Sequence, residues 1–87
     1  MYIVKAIKIL LGLEKERRIT LPSGTIEEYD KKGRKRKIIY PYGEFWELDE
    51  EGFIRKETLS DGHVIEIDKG GRRRKLTYPD GNVIEYN

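Results

Sequence analysis

Glycine recurs at Gly24, Gly43, Gly62 and Gly81, each 19 residues after the last, and a second series, Gly33, Gly52 and Gly71, runs at the same interval. Two interlocked series at one period restrict the chain to a tandem array, in which every unit repeats one supersecondary structure. Other positions keep the phase: Glu28, Glu47, Glu66 and Glu85; Asp30, Asp49 and Asp68; Lys37, Lys56 and Lys75; and Pro22, Pro41 and Pro79, with Ser60 as the one departure.

Each unit contains two turn signals. One is Pro79-Asp80-Gly81 and its variants at 22, 41 and 60; the other has the form Asp-x-x-Gly and begins at Asp30, Asp49 and Asp68. Proline presets φ for the first corner, aspartate accepts local backbone hydrogen bonds, and glycine supplies the positive φ that closes a hairpin. Between the turns lie segments rich in Ile, Val, Tyr and Phe, of ordinary strand length. The spacing predicts strands near 16–21, 25–30, 34–40, 44–49, 53–59, 63–68, 72–78 and 82–86. The expected fold is mainly β, an antiparallel meander roughly 34 Å wide at ~4.8 Å per strand.

A period of 19 is odd, whereas a shift of one residue moves every strand side chain to the opposite face. Equivalent residues keep one face only if a three-residue loop at the Pro-x-Gly turn is combined with an even loop or a bulge at the Asp-x-x-Gly turn. Glu28, Glu47, Glu66 and Glu85 then oppose Arg18, Lys37, Lys56 and Lys75, with Thr20, Thr58 and Thr77 nearby, as a solvated charge ladder. The other face collects Leu21, Tyr29, Ile38, Tyr40, Trp46, Leu48, Leu59, Ile65, Ile67, Leu76, Tyr78, Ile84 and Tyr86. An apolar surface of that size marks an interaction site when it stays open.

Residues 1–12 are expected to form a separate apolar element ahead of the repeat sheet at 13–87, within one domain. In Tyr2 to Leu11, Lys5 and Lys8 share one side and Ile3, Ile7, Leu10 and Leu11 another, which fits a short helix ended by Gly12; the β-branched content leaves a ninth strand as the alternative. The stretch is shorter than the ~20 residues of a membrane span and has no small-residue cleavage site. A soluble, intracellular, cytoplasmic protein is expected. Charged residues are 39 % of the chain and apolar ones 37 %, but six tyrosines, two phenylalanines and a tryptophan are interleaved throughout, which argues against disorder. The chain lacks cysteine and glutamine and is rich in Lys, Arg and Glu, a composition similar to thermostable or idealised, designed proteins.

The units Tyr29-Asp30-Lys31-Lys32-Gly33-Arg34 and Asp68-Lys69-Gly70-Gly71-Arg72, with Tyr78-Pro79-Asp80-Gly81, resemble the YD repeats of Rhs and teneurin proteins, which read YDxxGR followed by PDG. The middle unit departs from that pattern, with Leu48-Asp49 for the Tyr-Asp pair and Phe53 for the arginine. The recurring PDG-type turns are equally similar to the G-box of the TCP10 family of centriolar proteins, a single antiparallel sheet that mediates protein binding and end-to-end assembly. Either resemblance implies a non-enzymatic scaffold.

Two basic turns stand 38 residues apart: Lys31, Lys32, Arg34, Lys35, Arg36 and Lys37, then Lys69, Arg72, Arg73, Arg74 and Lys75. Four strand spacings separate them by roughly 19 Å, a distance that two phosphate tracks could match. Between them Glu50-Glu51 breaks the stripe, and the net charge is only +2. Solvated turns that discourage edge aggregation explain them as well. The aligned Glu and Asp series point to turn caps and cross-strand pairs rather than to paired catalytic carboxylates. His63 is the only histidine and cysteine is absent, so neither a zinc site nor a Cys-His nucleophile can be assembled.

These features predict a non-catalytic scaffold, with no cofactor and no metal, that binds a protein partner or a second copy through Leu21, Tyr40, Trp46, Leu59, Tyr78 and Tyr86. The alternative is nucleic-acid or other polyanion binding at the two basic turns. A membrane surface met by residues 2–11 ranks third.

Overall fold

The computed structural model describes residues 15–87, so the helix-or-strand expectation for 2–11 lies outside the described residues. One antiparallel sheet contains β1 (Arg17–Thr20), β2 (Ile26–Tyr29), β3 (Lys35–Ile39), β4 (Phe45–Leu48), β5 (Ile54–Thr58), β6 (Val64–Ile67), β7 (Arg73–Thr77) and β8 (Val83–Glu85). The strands lie in sequence order. Each is shorter than expected by one residue at either end, and the end residues that flank a turn close the hairpin loops instead.

Both turn signals build the same loop. At the proline turn the Leu21 N–H donates to the Thr25 carbonyl (2.8 Å) and the Gly24 N–H to the Leu21 carbonyl (2.9 Å); at the aspartate turn Asp30 and Arg34, then Gly33 and Asp30, repeat the pattern at 2.9 and 3.0 Å. Three residues span each gap, and a glycine at φ between +82° and +99° closes all seven loops. That backbone region is open to glycine without steric penalty.

The odd period is resolved after the aspartate turns. Tyr29 pairs with Lys35 but Glu28 pairs with Lys37, so Arg36 is the extra residue of a β-bulge. The same shift leaves Arg55 between Ile54 and Lys56 and Arg74 between Arg73 and Lys75. Of the two devices open to the sequence, the bulge is the one used, and the loop itself stays at three residues.

The bulge keeps every glutamate of the ladder in phase. Arg18, Glu28, Lys37, Glu47, Lys56, Glu66, Lys75 and Glu85 each pair with the next across the whole sheet. The same face also carries the row Thr20, Ile26, Ile39, Phe45, Thr58, Val64, Thr77 and Val83. It is therefore less polar than the ladder alone implies, and Lys37 lies with its Nζ 4.4 Å from the centroid of the Phe45 ring.

On the opposite face the central row is Ile19, Glu27, Ile38, Trp46, Glu57, Ile65, Leu76 and Ile84. Alternation sets Leu21, Tyr40, Leu59 and Tyr78 on one side of it and Tyr29, Leu48, Ile67 and Tyr86 on the other. Ile65 is the one buried apolar residue among those described. No second layer covers either face within 15–87.

Gly52 has φ +92° and open space where a Cβ would stand, whereas Gly70 has ordinary φ. Gly52→Ala should therefore lower stability by about 1 kcal/mol through backbone strain alone, and Gly70→Ala should leave it nearly unchanged. Urea unfolding of the two variants beside the parent checks the contrast.

Candidate functional site

Five of the six expected anchors share one face at and beside its proline-turn margin, with Thr25, Glu44 and His63 on the intervening strands between them. Leu21, Tyr40, Leu59 and Tyr78 each occupy the position before a proline-type turn, where the loop-closing hydrogen bonds fix the backbone. Trp46 meets Tyr40 edge-on, with ring centroids 5.2 Å apart, and donates its indole N–H to Glu44 Oε1 at 3.0 Å. Tyr78 meets the His63 ring in the same manner at 5.1 Å, and His63 Nδ1 lies 2.8 Å from Asp61 Oδ1. Tyr86 shares the face but stands at its other side on β8, 38 % exposed.

Charge interrupts this face in ways the apolar pattern hides. Lys35 Nζ lies 2.7 Å from Glu27 Oε2, and the Tyr29 hydroxyl donates to Glu27 Oε1 at 2.9 Å. Those bonds from Lys35 and Tyr29 hold the Glu27 carboxyl below its ordinary range, and the same contact with Glu27 raises Lys35. Glu57 stands in register between Trp46 on β4 and Ile65 on β6. Arg73 stands opposite Ile67. Neither has an ion-pair partner among the described residues.

A second constellation, absent from the sequence expectations as a series, is built on the bulge. Arg36 donates its Nε to the Leu48 carbonyl at 2.8 Å, and Arg55 does the same to Ile67 at 2.7 Å. Their Nη1 atoms lie 3.6 Å from Asp30 Oδ2 and Asp49 Oδ2, and Arg74 Nε lies 3.7 Å from Asp68 Oδ2. The other carboxylate oxygen caps the loop: Asp30 Oδ1 accepts from the Lys32 and Arg34 amides at 2.9 and 3.0 Å. Arg17, Arg36, Arg55 and Arg74 follow one another at 19 residues, so the period carried the signal; the longer basic runs around Arg36 and Arg74 obscured it.

The Arg34 amide, with the Arg34 side chain and the Lys32 amide, lowers the Asp30 carboxyl to about 2. Asp68 is lowered chiefly by the Arg72 amide. At Asp49 burial pushes the carboxyl up, but the Phe53 and Glu51 amides and Arg55 outweigh it.

Six of the eleven cations of the basic turns, Arg34, Lys35, Arg36, Lys69, Arg74 and Lys75, have acidic partners within the sheet. Arg34 meets Asp30 at 2.9 Å and Glu50 at 3.6 Å, Lys69 meets Glu51 at 2.8 Å, and Lys75 meets Glu66 at 3.9 Å. The acidic middle turn thus ties the two basic turns together sideways. Lys31, Lys32, Lys37, Arg72 and Arg73 are the members without an acidic partner within the described residues, and they do not merge into one track.

Among the described residues no group of three or more His, Cys, Asp or Glu is placed to hold a metal ion, and no helix is long and apolar enough to cross a membrane. No protein-family model matches the chain, and no curated protein or solved structure matches it. The meander of antiparallel hairpins is compatible with the hairpin-repeat resemblance at the level of architecture.

The lowered turn aspartates make stability depend on pH. A carboxyl whose folded pKa lies below its unfolded value contributes stability that is complete above the unfolded value and is lost as the folded group protonates. Denaturant midpoints should therefore fall between about pH 4 and about pH 2, and Asp30→Asn should flatten that fall. Arg55→Lys, which removes the Nε donor, should destabilise by about 1 kcal/mol, with Arg72→Lys as the near-neutral control in the same titration.

Proposed function

We propose that this chain is a non-catalytic β-repeat scaffold that assembles with further copies of itself, β8 of one copy pairing with β1 of the next in the phase of the 19-residue repeat. The observation that carries this reading is the match between the outer edges of β1 and β8, the end strands of the described sheet. The Tyr86 N–H bonds back to the Arg74 carbonyl and the Tyr78 N–H to the Asn82 carbonyl, so Asn82, Ile84 and Tyr86 turn their backbone groups inward. Val83 and Glu85 turn theirs outward. On β1 the inward bond of Leu21 to Thr25 likewise leaves Arg18 and Thr20 facing out.

Val83 and Glu85 are the phase equivalents of Ile26 and Glu28, and Arg18 and Thr20 those of Lys37 and Ile39. Laid against one another in the β2–β3 register, Glu85 opposes Arg18, Ile84 opposes Ile19 and Val83 opposes Thr20 of the next copy. Arg17 then takes the place of the bulge arginines, and Asn87 the phase of the turn aspartates. The charge ladder begins with Arg18 and ends with Glu85, so unlike edges extend its alternation while like edges bring like charges together. Such a contact is heterologous and grows open or closes as a ring.

This reading accords with the scaffold role implied by the YD and G-box resemblances. Lys31, Lys32, Arg72 and Arg73 supply what support there is for the polyanion alternative, and salt separates the two: phosphate contacts weaken steeply with ionic strength.

Solution mass over a concentration series, at low salt and at about 0.5 M, tests the proposal. Mass should rise with concentration in both salts. Proline is tolerated where the N–H faces away from the sheet, so Val83→Pro and Glu85→Pro should stop the mass growing beyond a dimer while leaving the circular dichroism intact. An unchanged mass in these variants, or a monomer throughout for the parent, contradicts it.

A further inference from the structure

The apolar face is not uniform along the sheet. In the β1–β3 part Arg17, Glu27 and Lys35 break it, and Glu27 and Lys35 satisfy one another at 2.7 Å. From β4 to β8 it is held by Trp46, Leu59, Ile65, Ile67, Leu76 and Ile84, with Ile65 at 6 % exposure near the centre and Ile84 still 41 % exposed. Besides Glu44, whose Oε1 accepts the Trp46 indole N–H, two charged side chains on this half of the face have no ion-pair partner among the described residues. They are Glu57 on β5 and Arg73 on β7, one on either side of β6.

Within one sheet these two groups stand two strand spacings apart, about 10 Å, and cannot meet across Ile65. A two-fold axis running along β6, parallel to the strands, lays β5 of one copy over β7 of the other. Glu57 of each copy then faces Arg73 of the partner copy, displaced by one side-chain row along the strand, within reach of an arginine. The same axis sets Ile65 against Ile65 and the Trp46 strand against the Ile84 strand. Glu57 and Arg73 thus pair twice, and the exposed apolar surface is covered by its own like.

We propose that a second copy of this chain covers the apolar face of β4 to β8, sheet upon sheet, about a two-fold axis along β6 that pairs Glu57 of each copy with Arg73 of the other. Five strands at ~4.8 Å, each about six residues long at ~3.3 Å when the loop-closing residues are included, present about 475 Å² per copy and about 950 Å² for the pair. That is close to the roughly 1,000 Å² of a small specific interface and fits a weak, concentration-dependent dimer. Sheets packed in this way lie ~10 Å apart with their strands nearly aligned, which an axis parallel to the strands provides. An unpaired carboxylate in that interface would be strongly disfavoured, so the charge match sets the register as well as the partner. The interface uses a different surface from strand-edge addition, and either can fail without the other.

The test is made in full-length protein carrying Val83→Pro, so that the edge is blocked and only the face remains. Sedimentation velocity should show a concentration-dependent dimer. Glu57→Arg alone and Arg73→Glu alone should each weaken dimerisation by about tenfold or more, and the double variant should recover most of the loss. Circular dichroism of each variant confirms the sheet. A monomeric Val83→Pro parent, single variants that dimerise as well as that parent, or a double variant no better than the singles would overturn the proposal. Failure of the edge reading has a separate signature, an assembly mass that Val83→Pro does not change.

Discussion

A strand sends successive side chains to opposite faces, so a repeat of odd length can keep a constant face only by inserting one residue that does not count. In this chain that residue is the arginine at Arg36, Arg55 and Arg74. Removing the bulge would move each following glutamate of the ladder onto the apolar side and each Ile or Trp onto the charged one. The bulge position is therefore where the chain invests side-chain bonding: Arg36 and Arg55 reach the carbonyl of the next strand with Nε and the aspartate of the previous turn with Nη1. Each thereby links three consecutive strands.

Because the units are in phase, the sheet has no natural end. Each strand presents to its neighbour the same alternation of charge and the same row of Thr, Val, Ile and Phe, and the outer edge of β8 carries what β2 presents to β3. A single layer with one buried apolar residue among those described gains stability chiefly from its neighbours along the sheet and from whatever meets its faces, as other quasi-one-dimensional repeats do. Extending the sheet and doubling it are two ways of supplying those missing neighbours, and both follow from the same regularity.

The strands, their order and the opposition of Glu28 to Arg18 and of Glu47 to Lys37 were legible in the sequence, because turn glycines and prolines fix loop positions to within a residue. The device at the aspartate turn was legible only as a choice. A bulge leaves no composition of its own, and the Arg17, Arg36, Arg55, Arg74 series is masked by surrounding Lys and Arg, so the arginines read as solvated turn charge. Ile26, Ile39, Phe45 and Val64 were hidden for a related reason: beside the ladder glutamates and lysines, a second row on that face shows only once the register is known. Glu57 was equally hard to place, since an acid among apolar residues cannot be assigned to a face until the neighbouring bulge is located.

The absence of cysteine from the chain allows the central claim, edge addition in the phase of the repeat, to be tested by a single cross-link. Arg18→Cys and Glu85→Cys are prepared separately, mixed, and oxidised under mild conditions. Directly opposed residues of a hydrogen-bonded antiparallel pair stand about 5.5 Å apart at Cα, within disulfide range. The account predicts rapid formation of a mixed disulfide dimer containing one copy of each variant, with little disulfide dimer of either variant with itself. Equal yields of the mixed dimer and the two self-dimers, or no cross-link at concentrations where the parent is assembled, would contradict it.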